Sequence, residues 1–157
     1  MKPKVYIETT IISYLTGKPS RDIIIAAHQQ ITEEWWQTRR HLFDLYASQL
    51  VIREAGAGDE EYSQKRLNAL SEAELLEITE SALSLAKTLI EKGAVPQKAA
   101  EDALHIAIAA VNGIDYFISW NCKHIANAKM RSKIEQVCLS CGYEPIIICT
   151  PEELLED

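Results

Sequence analysis

Residues 101–127, EDALHIAIAAVNGIDYFISWNCKHIAN, constrain the fold more than any other stretch. Asp102 and His105 are three apart and share one side of a helix, while Leu104, Ile108 and Val111 mark another at i, i+4 and i+7. Ala103, Ile106, Ala107, Ala109 and Ala110 fill much of the remaining circumference, so the middle of this helix has little solvated surface and belongs in a core. An acid carried into such a helix near its first turn is held either by the terminal N–H groups or by an ionic partner. Gly113 suits the C-cap, and Asp115–Trp120 reads as a short central strand followed at once by Asn121 and Cys122. In an α/β sheet ligands bind at the carboxyl ends of the strands, where packed helices also present their N-termini. Asp102 and Asn121 are therefore expected to meet.

The rest of the chain alternates in the same way. Val5–Ile7 is a short buried-type strand with Glu8 at its end, and Thr9 or Thr10 can cap a helical turn over 11–15. Ser20 or Asp22 caps a helical region reaching Arg40. Leu42–Ala47 makes a second strand, and Ser48 caps a helix over 49–55 that carries Glu54. Asp59 opens a polar helix through Leu70, and Leu75–Ile78 is a third strand. Thr79 caps a helix over 80–92 that Gly93 closes. Beyond Asn121, apolar residues at helical spacing give one helix over 123–141, and Pro145–Cys149 is the last strand before a turn at 152–155. This pattern specifies one α/β domain over residues 1–157, a three-layer sandwich around a parallel, roughly five-stranded sheet with right-handed crossovers. Trp35 and Trp36 are adjacent and cannot both point inward, so one covers a neighbouring element or a partner subunit.

Composition narrows the function classes. A length of 157 residues with 47% hydrophobic content supports a proper core, and a net charge of −7 argues against a general nucleic-acid coat while leaving room for an enzyme with local basic residues. The N-terminus lacks a signal-peptide h-region and no stretch approaches the ~18 apolar residues of a membrane span, so a cytoplasmic location away from membranes is expected. Four irregularly spaced cysteines point to thiols rather than a disulfide framework.

Four polar side chains fall where the carboxyl edge of the sheet should be: Glu8, Glu54, Asp102 and Asn121. Three converging carboxylates repel one another and raise their pKa values unless a cation intervenes. Oxygen-only ligands select hard cations such as Mg²⁺ or Mn²⁺, which keep waters and engage phosphate oxygens. Such an ion lowers the pKa of a bound water and neutralises charge on a phosphodiester, so the residues by themselves suggest a metal-dependent phosphodiesterase.

The segments VYIETTIISYL, the Glu54 helix, EDALHIAIAA and DYFISWNCKHIAN, in that order over nearly the whole chain, together resemble a PIN domain, the fold of VapC-type toxin ribonucleases of bacterial toxin–antitoxin pairs. The resemblance implies a PIN-like parallel sheet, Mg²⁺- or Mn²⁺-dependent endoribonuclease cleavage of single-stranded RNA segments, a homodimer, and inhibition by a small antitoxin protein. On it, Glu8, Glu54 and Asp102 match the family's first three acids as metal ligands or water positioners, and Asn121 matches the fourth catalytic position. Two positions depart from the pattern: the first acid is usually Asp, and the fourth is often Asp where this chain has the neutral Asn121. Losing that charge weakens a second metal more than the first, so one well-held ion is expected, with Thr9 or Thr10 orienting a carboxylate or water.

Blander readings stand beside these. Glu8 could be a strand-end acid accepting the N–H groups of Thr10 and Ile11, Glu54 an exposed helix residue, Asp115 a structural cap, and His105 a structural imidazole with a supporting role beside Asp102 still open. His124 and Lys123 either contact phosphate or begin a helix in water. Lys18, Arg21, Arg39, Arg40, Lys123, Lys129 and Arg131 are candidates for gripping RNA, and Trp120 or Tyr14 for stacking unpaired bases if exposed. The main rival is a PIN-like module that binds RNA or protein without cutting. A structural zinc between Cys122-x-His124 and Cys138-x-x-Cys141 is disfavoured because residues 125–137 read as one rigid helix holding the pairs apart. A receiver-type domain needs an acceptor Asp where this chain has Asn121, and neither a G-x-G-x-x-G fingerprint nor a P-loop is present.

Overall fold

In the computed structural model, residues 1–156 are described. Along them run β1 (Lys4–Ile7), α1 (Thr9–Thr16), α2 (Ile23–Thr38), β2 (Asp44–Ser48), α3 (Gln49–Ala55), α4 (Glu60–Ala69), β3 (Glu74–Leu76), α5 (Glu80–Glu91), α6 (Ala100–Val111), β4 (Tyr116–Ile118), α7 (Ala128–Ser140) and β5 (Ile147–Cys149). The strands form one sheet in the order β3-β2-β1-β4-β5, with every neighbouring pair parallel. Val5 lies between Leu45 and Tyr116 in register, and β1 is the central strand of the five.

This order determines where the helices go. Connections from β1 to β2 and from β2 to β3 step in one direction, whereas those from β3 to β4 and from β4 to β5 step in the other. Right-handed crossovers then put α1–α4 on one face and α5–α7 on the other. The packing agrees, with α1 touching α2, α3 and α4 while α5 touches α6 and α7. The expected α/β sandwich with a five-stranded parallel sheet is therefore the observed one. Its direction reverses between β1 and β4, and the crevice for a ligand opens at the carboxyl ends of those two strands.

Several boundaries differ from the sequence expectation. Strand β2 begins at Asp44 because a 3₁₀ turn takes up Arg40–Leu42 first. Strand β3 is Glu74–Leu76, two residues short of Ile78. The helix expected over 123–141 starts only at Ala128, since Asn127 caps it through Met130 N–H at 3.0 Å while its amide donates to the carbonyls of Cys122 and Lys123. Residues 122–127 are thus turns, and the rigid helix that disfavoured a zinc site is not there over its first part. The thiols still do not assemble: among the described residues, the one group of His, Cys, Asp and Glu close enough to share an ion contains no cysteine.

The tryptophan pair divides as its spacing demands. Trp35 has no exposed surface and packs on Phe43, with ring centroids 5.7 Å apart. Trp36 is half-buried beneath the Arg40 guanidinium at 4.8 Å. Trp35 therefore belongs to this chain's own core, and Trp36 is the ring of the pair that keeps exposed surface.

Cysteine reactivity follows from burial. Cys122 and Cys141 are exposed, whereas burial pushes the thiols of Cys138 and Cys149 up to about 11 and about 12. A raised pKa keeps the nucleophilic thiolate scarce at pH ~8. A thiol reagent is accordingly expected to label two cysteines promptly in the native protein and the other two only after unfolding. Prompt labelling of all four would show that the core beneath α7 and β5 is open.

Candidate active site

Glu8 stands where β1 ends and α1 begins, and its N–H extends the ladder to the Ile118 carbonyl at 3.3 Å. The residue itself, rather than Thr9 or Thr10, is the N-cap of α1. Its Oε2 accepts the Thr10 N–H at 3.1 Å, and its Oε1 accepts the hydroxyls of Thr10 and Ser119, each at 2.5 Å. Those hydroxyls are held in turn, Thr10 Oγ1 accepting from Trp120 N–H and Ser119 Oγ from Asn121 N–H, both at 2.9 Å. The ends of β1 and β4 are thereby laced around one carboxylate. Ile11 N–H bonds the Glu8 carbonyl instead of its side chain. Glu8 is only 4% exposed, and burial pushes its pKa up against the pull of His105, Ser119 and Thr10.

Glu54 lies in the last turn of α3, where it is not an ordinary exposed helix residue. The Thr9 hydroxyl donates to its Oε1, and His105 Nε2 lies 2.7 Å from the same oxygen. Burial acts to raise its pKa, but the hydrogen bond and electrostatic pull of His105 and the Thr9 hydroxyl outweigh it, and the carboxyl titrates below its ordinary range. The exposed Glu101 carboxyl reaches Glu54 as well, and its own pKa is raised by that hydrogen bond and charge.

Asp102 and Asn121 meet as expected. The Asn121 side chain hydrogen-bonds the half-buried Asp102 carboxyl, whose pKa is raised by burial despite the opposing pull of His105, Asn121 and His124. Asn121 Oδ1 also accepts the His124 N–H at 3.1 Å. His124 therefore stands within a turn beside Asp102, and not at the start of a helix. Asp115 is a structural acid, accepting the Lys4 N–H at 2.8 Å.

Glu8, Glu54 and His105 each offer a ligand atom, and these atoms lie within 4.8 Å of one another. Asp102 is outside that group, although its charge reaches toward Glu54 and His105. The group is thus two carboxylates and an imidazole, the latter already engaged by Glu54, and its oxygen donors, with the Asp102 carboxylate outside it, are of the kind a hard divalent ion takes.

Several RNA-contact candidates are redirected by the fold. Arg39 shares a hollow with Pro3 and Tyr116, and Arg40 shares one with Lys2, Asp44 and Glu74, which places both at the amino edge of the sheet, away from the acids. Arg131 is occupied by the Ile148 carbonyl at 3.0 Å and Glu153 at 3.7 Å. Lys18, Arg21, Lys123 and Lys129 remain exposed. Trp120 is 8% exposed, stacks on His28 at 4.0 Å and donates its indole N–H to Thr32 Oγ1 at 2.7 Å, so its ring is part of the packing. Tyr14 is half-buried beside it.

The sequence reading passed over Tyr6, Ser48, Ser119 and Glu101 as parts of the site. Glu101 had a signal, since it is four residues before His105 and shares its helix face. Tyr6 had one too, because a tyrosine inside a buried strand needs a partner for its hydroxyl.

A parallel sheet of this order, with acids gathered where β1 and β4 part, defines a PIN-like α/β fold. Comparison with solved structures gives the same result. VapC20 from Mycobacterium tuberculosis, a sarcin–ricin loop cleaving toxin, aligns with a TM-score of 0.58 at 10% identity over 91% of this chain and 98% of its own. VapBC2 from Rickettsia felis, bound to a DNA fragment from their promoter, aligns with a TM-score of 0.59 at 15% identity over 93% of this chain and 97% of its own. No family model matches the sequence, and no curated protein matches it. Likeness at this level of identity establishes a shared fold.

Proposed function

We propose that this chain, as a single domain, is a metal-dependent endoribonuclease that hydrolyses phosphodiester bonds in RNA, and that it is the toxin of a type II toxin–antitoxin pair. The observation that carries the reading is the buried Glu8 carboxylate at the switch point between β1 and β4, with Glu54 at its side and Asp102 paired to Asn121 nearby. Glu8, Glu54 and Asp102 would hold Mg²⁺ or Mn²⁺, which supplies Lewis acidity and a water of lowered pKa when bound. Thr10 and Ser119 keep Glu8 in one orientation, and Thr9 does the same for Glu54. Asn121 holds Asp102 and keeps lone-pair and N–H capacity for a water or substrate oxygen. Lys18, Arg21, Lys123 and Lys129 supply salt-dependent contacts to phosphate. A sarcin–ricin loop cleaving toxin with the same fold supports RNA as the substrate. A small antitoxin protein as inhibitor and a homodimer as the working form belong to the same proposal.

One experiment tests the catalytic core of it. A mixed cellular RNA pool is incubated with Mn²⁺, Mg²⁺ or EDTA, and the wild type is compared with Asp102→Asn. Metal-dependent cuts that the variant fails to make are expected. Intact RNA in every arm, with equal RNA binding by both proteins, would instead favour a PIN-like binding module, for which the neutral Asn121 and the fully engaged Glu8 carboxylate would be the reason.

A further inference from the structure

His105 is 1% exposed, and both of its ring nitrogens are engaged, Nε2 with Glu54 Oε1 and Nδ1 with the Tyr6 hydroxyl, each at 2.7 Å. The Tyr6 hydroxyl is also 2.7 Å from Ser48 Oγ, and Ser48 Oγ accepts the Val51 N–H at 3.2 Å as the N-cap of α3. Glu54 is on that same seven-residue helix. The contacts therefore close a loop: from the cap of α3 through Ser48, Tyr6 and His105 to the Glu54 carboxylate near its other end. One polarity satisfies every member. An ionised Glu54 only accepts, so Nε2 donates to it; Nδ1 then accepts from Tyr6, whose oxygen accepts from Ser48, whose oxygen accepts from Val51. Tyr6 and Ser48 have no exposed surface, so a break anywhere leaves a polar group buried without a partner.

We propose that Tyr6 and His105 are positioning residues, a buried clamp that fixes the Glu54 carboxylate by tying both ends of α3 to β1 and α6. Tyr6 and His105 are closed off from solvent. The clamp rests on the proposed nuclease reading for its purpose, and on geometry alone for its existence. Supports of this kind behind a metal-binding side chain are worth roughly 10- to 100-fold in affinity or rate.

The test combines NMR of the imidazole and of the Glu54 carboxyl carbon, Mn²⁺ binding followed by electron paramagnetic resonance, and cleavage of a single-stranded RNA. Tyr6→Phe keeps the ring that stacks on Phe117 at 4.9 Å and removes only the hydroxyl. It is expected to shift the His105 nitrogen and Glu54 carboxyl resonances, weaken Mn²⁺ by roughly 10-fold and lower kcat, with KM for RNA unchanged. His105→Gln retains a donor near the position of Nε2 and is expected to recover most of the Mn²⁺ affinity that His105→Ala loses. His105→Asn, too short to reach Glu54, is expected to recover none. Equal behaviour of the Gln and Asn variants, or unmoved Glu54 resonances in Tyr6→Phe, would overturn the clamp. Loss of Mn²⁺ by His105→Gln as complete as by Glu54→Gln would overturn it too, since the imidazole would then be a ligand. A wild type that neither binds Mn²⁺ nor cuts RNA would end the nuclease reading, while the Tyr6→Phe resonances would still decide whether the clamp exists.

Discussion

Glu8→Gln is expected to lower metal-dependent RNA cleavage by about 100- to 1,000-fold, the scale on which losing one preorganised electrostatic group is felt. The same substitution is expected to flatten the pH dependence of stability. Burial raises the Glu8 pKa in the folded chain, opposed by His105, Ser119 and Thr10. The folded carboxyl thus holds its proton to higher pH than the unfolded chain, where a glutamate titrates at about 4.3. Its contribution to stability is fully present below that value and is lost as pH rises through the raised one. The metal-free wild type carries this loss at neutral pH, and a divalent ion beside the carboxylate removes it. Thermal melts across the pH range should therefore show a falling limb above the ordinary carboxylate range in the wild type, reversed by Mn²⁺. Glu8→Gln should show a shallower limb and a smaller rescue, the remainder being carried by Asp102 and Glu101, whose pKa values are also raised. Retention of cleavage by the variant would mean that Glu8 serves only as the cap of α1.

Trp35→Ala is expected to cost about 3–5 kcal/mol, the range for truncating a large aromatic in a packed core. The ring is completely buried among this chain's own residues, against Trp36 and Phe43. Trp36→Ala should stay within about 1 kcal/mol, since its ring is half-buried and its main polar contact is a surface stack with Arg40. Urea midpoints of the two variants separate these outcomes. Light scattering adds a check on assembly, because the Trp36 variant should keep the wild-type mass if subunit contacts lie elsewhere. A mild effect for Trp35 would mean that α2 does not pack on the sheet as described.

These two positions show how far residue patterns reach. Adjacent tryptophans on one helix had to divide between inside and outside, and helical spacing alone says that much. Which one turned inward depended on where Phe43 sits, and that is a matter of how α2 returns to β2. The same division holds at the site. Strand-end placement put Glu8 at the carboxyl edge, and the apolar circumference of α6 carried Asp102 into the structure beside Asn121. Glu54 owed its place to the resemblance, for nothing in its local pattern distinguishes it from a solvated helix residue.

Local periodicity and capping by themselves determined the elements of this protein: five parallel strands, the core helix α6, the Ser48, Asp59 and Thr79 caps, and the placing of Glu8 and Asp102 at the carboxyl edge. These depend on interactions within a few residues, which the order of side chains expresses directly. Only the tertiary structure decided that His105 and Glu54, 51 residues apart in sequence, would share a hydrogen bond, and that Tyr6 would join them across 99 residues to His105. It likewise sent Arg39 and Arg40 to the far edge of the sheet. Contacts between distant segments are set by strand order and the hand of the crossovers, and the direction reversal between β1 and β4 is what gathers the acids at one edge.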